Sequence, residues 1–328
     1  MSSKYRGFRG NEPPLPKPYA FVPISRAPMD LKPPAGHADF SDEALTGTIR
    51  GRIIARSPVH VASGITDLTG VVPSLVKAHF RCKGKPTIPG SSLKGAIRSI
   101  VEAISYPPSC IRVSWAQSEK LPTNVNRCTE VKRSATRTKL CIACRMFGAM
   151  GYLGQVQFSD ATADTDKTEI IQIPPLHAPH PRESLYYESR KIIGRKFYMH
   201  GANGKTAAGN VPTEVCRPGT TFGMRVDFDN LQPSELILLL VALGQGNPRL
   251  WPKLGGGKPA CCGSVEIEDI SVTTVSTAAS AISLDLDFKE VAIASLSALE
   301  THVDMESLKK IADALAYPGP GPCPDRNY

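Results

Sequence analysis

The amino-acid sequence predicts an α+β fold whose central unit has the order β-α-β-β-α-β. Apolar residues recur at helical spacing over 91–105, a segment that opens with two serines, which favour a helix start. They recur again over 233–243, a segment that opens with Pro233. The clearest strand is 222–228, in which apolar residues alternate with smaller or polar ones. This order is typical of the ferredoxin-like (RRM-like) arrangement.

The other strands follow in chain order. A strand at 45–55 precedes the first helix, a strand at 154–159 follows it, and a strand at 264–272 closes the unit. In the first helix the apolar positions share one face, and two basic residues share the opposite face. The apolar positions are Leu93, Ile97, Ile100, Val101 and Ile104, and the basic ones are Lys94 and Arg98.

The β-α-β-β-α-β unit, which we call the palm, is predicted to span residues 41–280. Residues 1–40 form an extended, proline-rich arm, and residues 281–328 form a C-terminal helical segment and a tail with a frayed end. Two long insertions interrupt the palm at 106–146 and 161–221. Insertions of this length inside a compact domain are usually functional.

Composition restricts the function classes. The chain has 328 residues, and its 39 Lys and Arg exceed its 30 Asp and Glu by nine, which suits a polyanionic partner without proving one. The longest apolar run, Leu236–Leu243, is too short to cross a membrane, and the first forty residues do not resemble a signal peptide, so we expect a cytoplasmic protein. Nine cysteines in such a chain favour metal ligands or inert thiols over a disulfide framework.

The string IPGSSLKGAIR at 88–98 predicts a phosphate site. Ser91 and Ser92 begin the helix, and Lys94 and Arg98 follow within two turns. Free backbone N–H groups at a helix start, together with hydroxyls and cations, are suited to bind phosphate. The alternative is a serine-capped surface helix whose basic residues are solvated.

Four cysteines of the first insertion predict a structural zinc site. Cys141 and Cys144 form a C-x2-C pair that directs two thiolates at one ion, and Cys110 and Cys128 complete a tetrahedral set. The insertion has too few apolar residues to build a core, and a metal would explain how it folds. Isolated buried thiols are the alternative, and a catalytic zinc is not expected.

Basic residues in both insertions predict contacts with an RNA backbone. Arg133 and Arg137 lie between the cysteines, where a solvated loop is the alternative. In the second insertion Arg190, Arg195 and Lys196 are interleaved with tyrosines and a phenylalanine, a mixture that suits single-stranded RNA. The alternative for those aromatic residues is a place in the core.

A third basic segment surrounds the three glycines at 255–257. Lys253 and Lys258 flank them. Glycines without a Cβ would let backbone N–H groups approach phosphates closely. A flexible turn is the alternative.

Four segments resemble, in content and order, those of the CRISPR RAMP proteins, the RNA-binding subunits of type III-like effector complexes. They are HVASG at 60–64, IPGSSLKGAIR at 88–98, RMFGAMGYLGQVQFSDA at 145–161 and KLGGGKPACCGSVEIE at 253–268. The resemblance implies an RRM-like palm, zinc in the first insertion and a thumb-like β-hairpin between about 174 and 215.

The same resemblance implies a backbone subunit that polymerises along CRISPR RNA and holds it for pairing with target RNA. Its implied partners are further copies of itself, a RAMP-type capping subunit at the repeat-derived end of the RNA, and a separate effector nuclease. Type III-D and type VII complexes fit this description best.

Cleaving relatives carry an aspartate in the loop before the 88–98 segment, and the resemblance places Val72 at that position. Valine neither binds a metal nor accepts a proton, so we expect a scaffold without nuclease activity. Asp67 is the remaining candidate for a guide-directed endoribonuclease, which would need Mg²⁺, although it lies five residues away from the expected position. A third hypothesis is an enzyme that processes CRISPR repeat RNA, with His60, His79 or His200 as its base.

Overall fold

The computed structural model describes residues 18–38, 44–68, 73–111, 122–125, 128, 139–176, 186–275, 284–285 and 302–324. The helices in these residues are α1 (Gly90–Ile104), α2 (Ile142–Phe147), α3 (Pro233–Leu240) and α4 (Met305–Ala314). None of the helices in this described part of the chain is long and apolar enough to cross a membrane.

The strands in the same residues are short, apart from three of 11 residues that belong to the central sheet. In chain order they are β1 (Tyr19–Pro23), β2 (Leu45–Ala55), β3 (Ala62–Leu68), β4 (Leu75–His79), β5 (Arg81–Cys82), β6 (Lys85–Ile88), β7 (Val156–Phe158), β8 (Ala161–Thr162), β9 (Glu169–Ile173), β10 (Tyr187–Glu188), β11 (Lys191–Ile192), β12 (Gly194–Tyr198), β13 (Val211–Val215), β14 (Thr221–Leu231), β15 (Val265–Val275) and β16 (Leu284–Asp285).

The central sheet has the strand order β16-β15-β2-β14-β7, and every neighbouring pair is antiparallel. Helix α1 lies between β2 and β7 in the chain, and α3 lies between β14 and β15, so two βαβ units interleave in one sheet. This mixed α+β architecture is compatible with the predicted ferredoxin-like palm. Each of the six predicted palm elements is present, with ends within three residues of the prediction.

Helix α1 is fixed to the sheet by its apolar face. Its predicted core positions, from Leu93 to Ile104, are at most 2% exposed. Burying an aliphatic side chain of this size contributes roughly 1.5–3 kcal/mol relative to leaving it in water. Helix α3 begins with a capping box between Gln232 and Glu235, and Pro233 stands at the start, where its missing N–H has no helical partner to lose.

The start of α1 lies directly against β7. The Gly90 N–H donates a hydrogen bond to Asp160 Oδ1 at 2.8 Å. A Cβ at Gly90 would overlap the carbonyl oxygen of Phe158. Glycine at this position therefore allows the helix and the strand to approach, and Asp160 fixes the helix end.

The described part of the second insertion contributes strands to several small sheets. Strands β9 and β13 join the order β3-β4-β13-β9, β12 pairs with β1, and β10 pairs with β11 in a short hairpin. That hairpin lies within the range predicted for the thumb, and its role as a thumb stays a prediction. Residues 177–185, which also belong to that range, lie outside the described residues.

The predicted N-terminal arm is in part a strand of the fold. Strand β1 pairs antiparallel with β12, from Tyr19 opposite Tyr198 to Pro23 opposite Gly194. Val22 is fully buried. Residues 1–17 and 39–40 of the arm lie outside the described residues.

Residues 317–324, part of the tail that the sequence predicts to be frayed, pack on the palm. The Tyr317 ring stacks on Trp251 with centroids 5.0 Å apart. Cys323 forms a disulfide with Cys261. The expectation of thiols without disulfides is therefore wrong for this pair, because the tail folds back over a loop that lies 62 residues earlier in the chain.

Two glycines of α1 provide a test of the contact between the helix and β7. We expect Gly90→Ala to lower the free energy of unfolding by about 1–3 kcal/mol, because the new Cβ must displace the β7 backbone. In the control, Gly95→Ala, the Cβ meets nothing within 4 Å and the helix gains up to about 1 kcal/mol of propensity. Urea unfolding measures both values. Equal effects of the two substitutions would contradict the contact.

Candidate functional site

A cavity of about 610 Å³ lies between α1, β12 and the loop that contains the three glycines. We call it the basic groove. Its lining includes Ser92, Gly95 and Ser99 of α1, Lys196, Phe197 and Tyr198 of β12, and Lys253, Gly255, Gly256 and Lys258 of the loop. Four residues predicted to bind RNA from separate stretches of the sequence therefore meet at one cavity: Ser92, Lys196, Lys253 and Lys258.

The glycines of the loop are required by a close backbone approach. Gly255 has a φ of +75°, and a Cβ there would overlap the carbonyl oxygen of His60. The Gly256 N–H donates to that same oxygen at 2.7 Å. The loop is therefore fixed against the segment after β2, rather than being the flexible turn that was the alternative.

The two lysines of the loop are largely buried. Lys253 Nζ donates to the Met199 carbonyl at 2.8 Å, and Lys258 Nζ donates to the Gly255 carbonyl at 2.6 Å. Burial lowers the pKa of Lys253 to about 7 and lowers that of Lys258 in the same direction. An anion in the groove would favour the charged form of both.

Lys196 is surrounded by aromatic rings. Its Nζ lies 4.3 Å from the ring centroid of Tyr19, 4.7 Å from that of Tyr198 and 5.1 Å from that of Tyr186. It also donates to the Tyr186 hydroxyl at 3.1 Å. Tyr186 and Tyr198, two of the aromatic residues predicted to stack on bases, therefore position Lys196 by cation–π contacts. Tyr19 carried no sequence signal for this role, since it comes from the distant β1.

At the start of α1, some of the groups predicted to bind phosphate already have partners, and the phosphate contact stays a prediction. The Asp160 carboxylate accepts the Gly90 N–H, and the Ser92 N–H donates to the Pro89 carbonyl at 2.9 Å, so these two groups are not free. Ser91 is exposed. The half-buried Lys94 donates from Nζ to the Val156 carbonyl at 2.7 Å, and burial lowers its pKa.

Arg98 and Arg195 share one carboxylate. Arg98 Nε donates to Glu102 Oε1 at 2.7 Å, and Arg195 Nη1 donates to Glu102 Oε2 at 2.8 Å. The three side chains are at most 16% exposed. The RNA contacts predicted for the two arginines stay predictions, and each would have to form beside this existing ion pair. Glu102 lies four residues after Arg98, and this spacing is the sequence signal for the ion pair between them.

The four predicted zinc ligands meet at one point. The Sγ atoms of Cys110, Cys128, Cys141 and Cys144 all lie within 4.8 Å of one another. Four sulfurs bound to one zinc ion at about 2.3 Å are roughly 3.8 Å apart, so this arrangement is close enough to hold an ion. Two backbone N–H groups donate to the sulfurs, from Cys110 to Cys141 at 3.4 Å and from Cys141 to Cys128 at 3.3 Å.

Some predicted RNA contacts fall elsewhere. Arg133 and Arg137 lie outside the described residues, and so does Val72, the position where cleaving relatives carry an aspartate. Arg190 is exposed in the turn of the β10–β11 hairpin and does not line the basic groove. The RNA contacts of Arg133, Arg137 and Arg190 stay predictions.

Asp67 lies in β3 at the edge of a second cavity, of about 470 Å³. Its Oδ1 accepts the Leu68 N–H at 2.8 Å. Glu214 lines the same cavity and is engaged by Arg81 at 2.6 Å and by Thr168 at 2.7 Å. Asp67 is the carboxylate that remains exposed there.

The three histidines considered as bases are all at most 5% exposed. His79 Nδ1 accepts the Val61 N–H at 3.2 Å, and burial lowers the pKa of His79 to about 4. His200 lies between Ser264 and the Trp251 carbonyl, and burial lowers its pKa to about 3. A catalytic base must reach its substrate, and these side chains are packed inside the protein.

The open face of the central sheet carries paired charges. Arg52 pairs with Asp269 and Arg225 with Asp227 on this face. The phenylalanines of β14 are at most 1% exposed, and Phe158 of β7 stacks on Phe147. The described part of this face therefore lacks the aromatic platform with which RRM domains stack bases.

Fold and site together define a class: an α+β protein with a basic groove beside its palm and four cysteines that can hold a metal ion. A family model described as the RAMP superfamily matches residues 52–266, which is more than half of the chain. The chain therefore belongs to the RAMP superfamily, which indicates a CRISPR-associated RNA-binding subunit of the kind that assembles with CRISPR RNA and other subunits. No curated protein resembles it closely enough to count as a match.

The buried Lys253 predicts a pH dependence of stability. The pKa of Lys253 is about 7 in the folded protein and about 10.4 in the unfolded chain. At pH values between these two, the unfolded chain binds more protons than the folded protein, so the free energy of unfolding rises with pH. We expect Lys253→Met to remove this rise, which amounts to at most about 1.4 kcal/mol per pH unit. Urea unfolding at pH 7, 8 and 9 measures both proteins, and parallel pH profiles would contradict the prediction.

Proposed function

We propose that this protein is a backbone subunit of a CRISPR effector complex that binds guide RNA in the basic groove and holds it for pairing with target RNA. The observation that carries the proposal is the convergence of Lys196, Lys253 and Lys258 on one cavity beside α1. Positively charged side chains around a cavity, where glycines let the backbone approach a ligand closely, are well placed to bind the phosphates of an RNA chain.

The groove favours recognition of the sugar-phosphate chain over recognition of bases. Its lysines are point charges, and its two aromatic side chains already have partners: Tyr198 holds Lys196 by a cation–π contact, and Phe197 packs against the core. In RNA-guided complexes the sequence is selected by pairing between guide and target, while the protein contacts backbone and shape. A subunit with this chemistry suits any spacer sequence.

The four cysteines are proposed to hold a structural zinc ion. The donor set fits, because four buried or half-buried thiols from distant positions converge and accept backbone N–H groups. Bound zinc would join the segment before Cys110 to α2 without requiring an apolar core. Four cysteine ligands complete the tetrahedral set that zinc prefers, so no position is left open for a catalytic water.

The proposed partners follow from membership of the family. They are further copies of this chain, a RAMP-type subunit that caps the repeat-derived end, and a separate nuclease that cuts the target RNA. A type III-D or type VII complex is the proposed setting. The sequence resemblance places Val72 where cleaving relatives carry an aspartate, and this supports a scaffold that leaves cutting to that nuclease.

Removing two groove lysines tests the site. We expect Lys196→Met combined with Lys258→Met to weaken binding of single-stranded guide RNA at least about 10-fold, because two phosphate contacts are lost. The slope of log affinity against log salt should fall by roughly 1.4 for two such contacts. Fluorescence anisotropy at several salt concentrations measures both quantities.

The control removes the same charge from another surface. Arg52→Met combined with Arg225→Met changes two exposed arginines on the open sheet face. We expect this variant to bind RNA as the wild type does. A loss of affinity in the control, with unchanged binding in the lysine variant, would move the RNA site from the groove to the sheet.

A second candidate function is a guide-directed endoribonuclease that uses Asp67 and Mg²⁺. The observation that favours it is the exposed Asp67 carboxylate at the mouth of the second cavity. The scaffold proposal predicts no cleavage of guide-matched RNA by the guide-loaded protein with Mg²⁺, on denaturing gels. Regularly spaced cuts that disappear in Asp67→Ala and persist in the neighbouring Glu169→Gln would establish the endoribonuclease instead.

Processing of repeat RNA is supported less well by the site. His60, His79 and His200 would have to leave buried positions before they could act on RNA. The same gels, with repeat RNA and the isolated subunit, compare this function with the scaffold.

A further inference from the structure

Arg98 lies beside the cysteine cluster. Its Nη2 is 3.5 Å from Cys144 Sγ, and its Nη1 donates to the Gly148 carbonyl at 2.9 Å. Its Nε pairs with Glu102, and the side chain is only 15% exposed. One guanidinium therefore joins α1 to the segment that contains α2 and two of the cysteines.

The charge of the cluster explains why a cation would lie there. Four thiolates around one divalent ion carry a net charge of about −2. A buried charge of that size is costly unless nearby groups compensate it. Arginine stays protonated even when buried, and its fork can serve a sulfur, a carbonyl and a carboxylate at once.

From this geometry we propose that Arg98 serves the metal centre rather than the RNA: its charge holds zinc in the four-cysteine site. The inference rests on the proposed zinc site. Arg98 lies on the side of α1 opposite the apolar face, and the proposal gives it a positioning role where the sequence pattern predicts phosphate binding.

Glu102 and Arg195 extend the network to the basic groove. Glu102 fixes Arg98 by the ion pair, and Arg195 donates to the other carboxylate oxygen and to the Cys110 carbonyl at 3.2 Å. Arg195 belongs to β12, whose next residue, Lys196, lines the groove. The metal centre and the groove wall are therefore joined through three side chains.

The test measures retention of zinc in the purified full chain. Zinc per chain is determined by mass spectrometry, and the rate of zinc transfer to a chromogenic chelator is followed by absorbance. We expect Arg98→Met to release zinc about 10-fold faster or more than the wild type, the range seen when partners of metal ligands are removed. Arg225→Met, which removes an exposed arginine that pairs with Asp227 on the open sheet face, should release zinc as the wild type does.

Glu102→Gln distinguishes charge from packing. It alters the same network as Arg98→Met but removes a negative charge near the thiolates. If charge retains the metal, this variant keeps zinc at least as long as the wild type. If it releases zinc as fast as Arg98→Met, the network acts through packing and the inference is overturned.

The remaining outcomes are equally decisive. Wild-type retention in a folded Arg98→Met overturns the role of Arg98 and leaves the zinc site standing. A wild type that contains no zinc, and that gives no thiolate spectrum with cobalt, overturns the metal site and the inference with it. Should Arg98→Met fail to fold, Arg98→Gln replaces it: its amide keeps hydrogen-bonding groups but removes the charge, so several-fold faster release supports the inference and unchanged release contradicts it.

RNA binding supplies an independent readout. Zinc-loaded Arg98→Met should bind guide RNA with wild-type affinity. A loss as large as that of the groove lysine variant would return Arg98 to the RNA site and contradict the reassignment.

Discussion

The packing of helix α1 is the constraint on which the rest of the structure depends. Its apolar face is buried against the central sheet, its first residue touches β7 and Asp160, and Arg98 on another side reaches the cysteine cluster. The face that remains lines the basic groove. A single helix therefore sets the positions of the sheet, the candidate metal centre and the candidate RNA site relative to one another.

This arrangement separates two kinds of positive charge. Some cations compensate internal acids: Arg98 and Arg195 share Glu102, and Arg145 pairs with the buried Glu235. The groove lysines are bound to carbonyl oxygens and aromatic rings, which orient a charge without neutralising it. Among the described residues no carboxylate pairs with these lysines, and a bound sugar-phosphate chain would supply one anion at each nucleotide.

The sequence predicted most of the palm because its elements depend on local patterns: helical spacing in α1 and alternation in β14 are independent of distant residues. The C-x2-C pair and the two further cysteines of the same insertion were likewise predicted as one set, and all four cluster. Spacing could not say which partner a cation would choose, because the pattern that predicts a phosphate contact for Arg98 also places Glu102 four residues later. The contact of Gly90 with Asp160 and the disulfide of Cys261 with Cys323 join residues 70 and 62 positions apart, and no local pattern encodes them.

The most direct measurement of the central claim is ultraviolet crosslinking of the protein to bound guide RNA, followed by mass spectrometry of the crosslinked peptides. The account predicts crosslinks at Phe197 and Tyr198 and in the 253–258 loop, all at the basic groove. Crosslinks confined to the open face of the central sheet, with none in the groove, would contradict it.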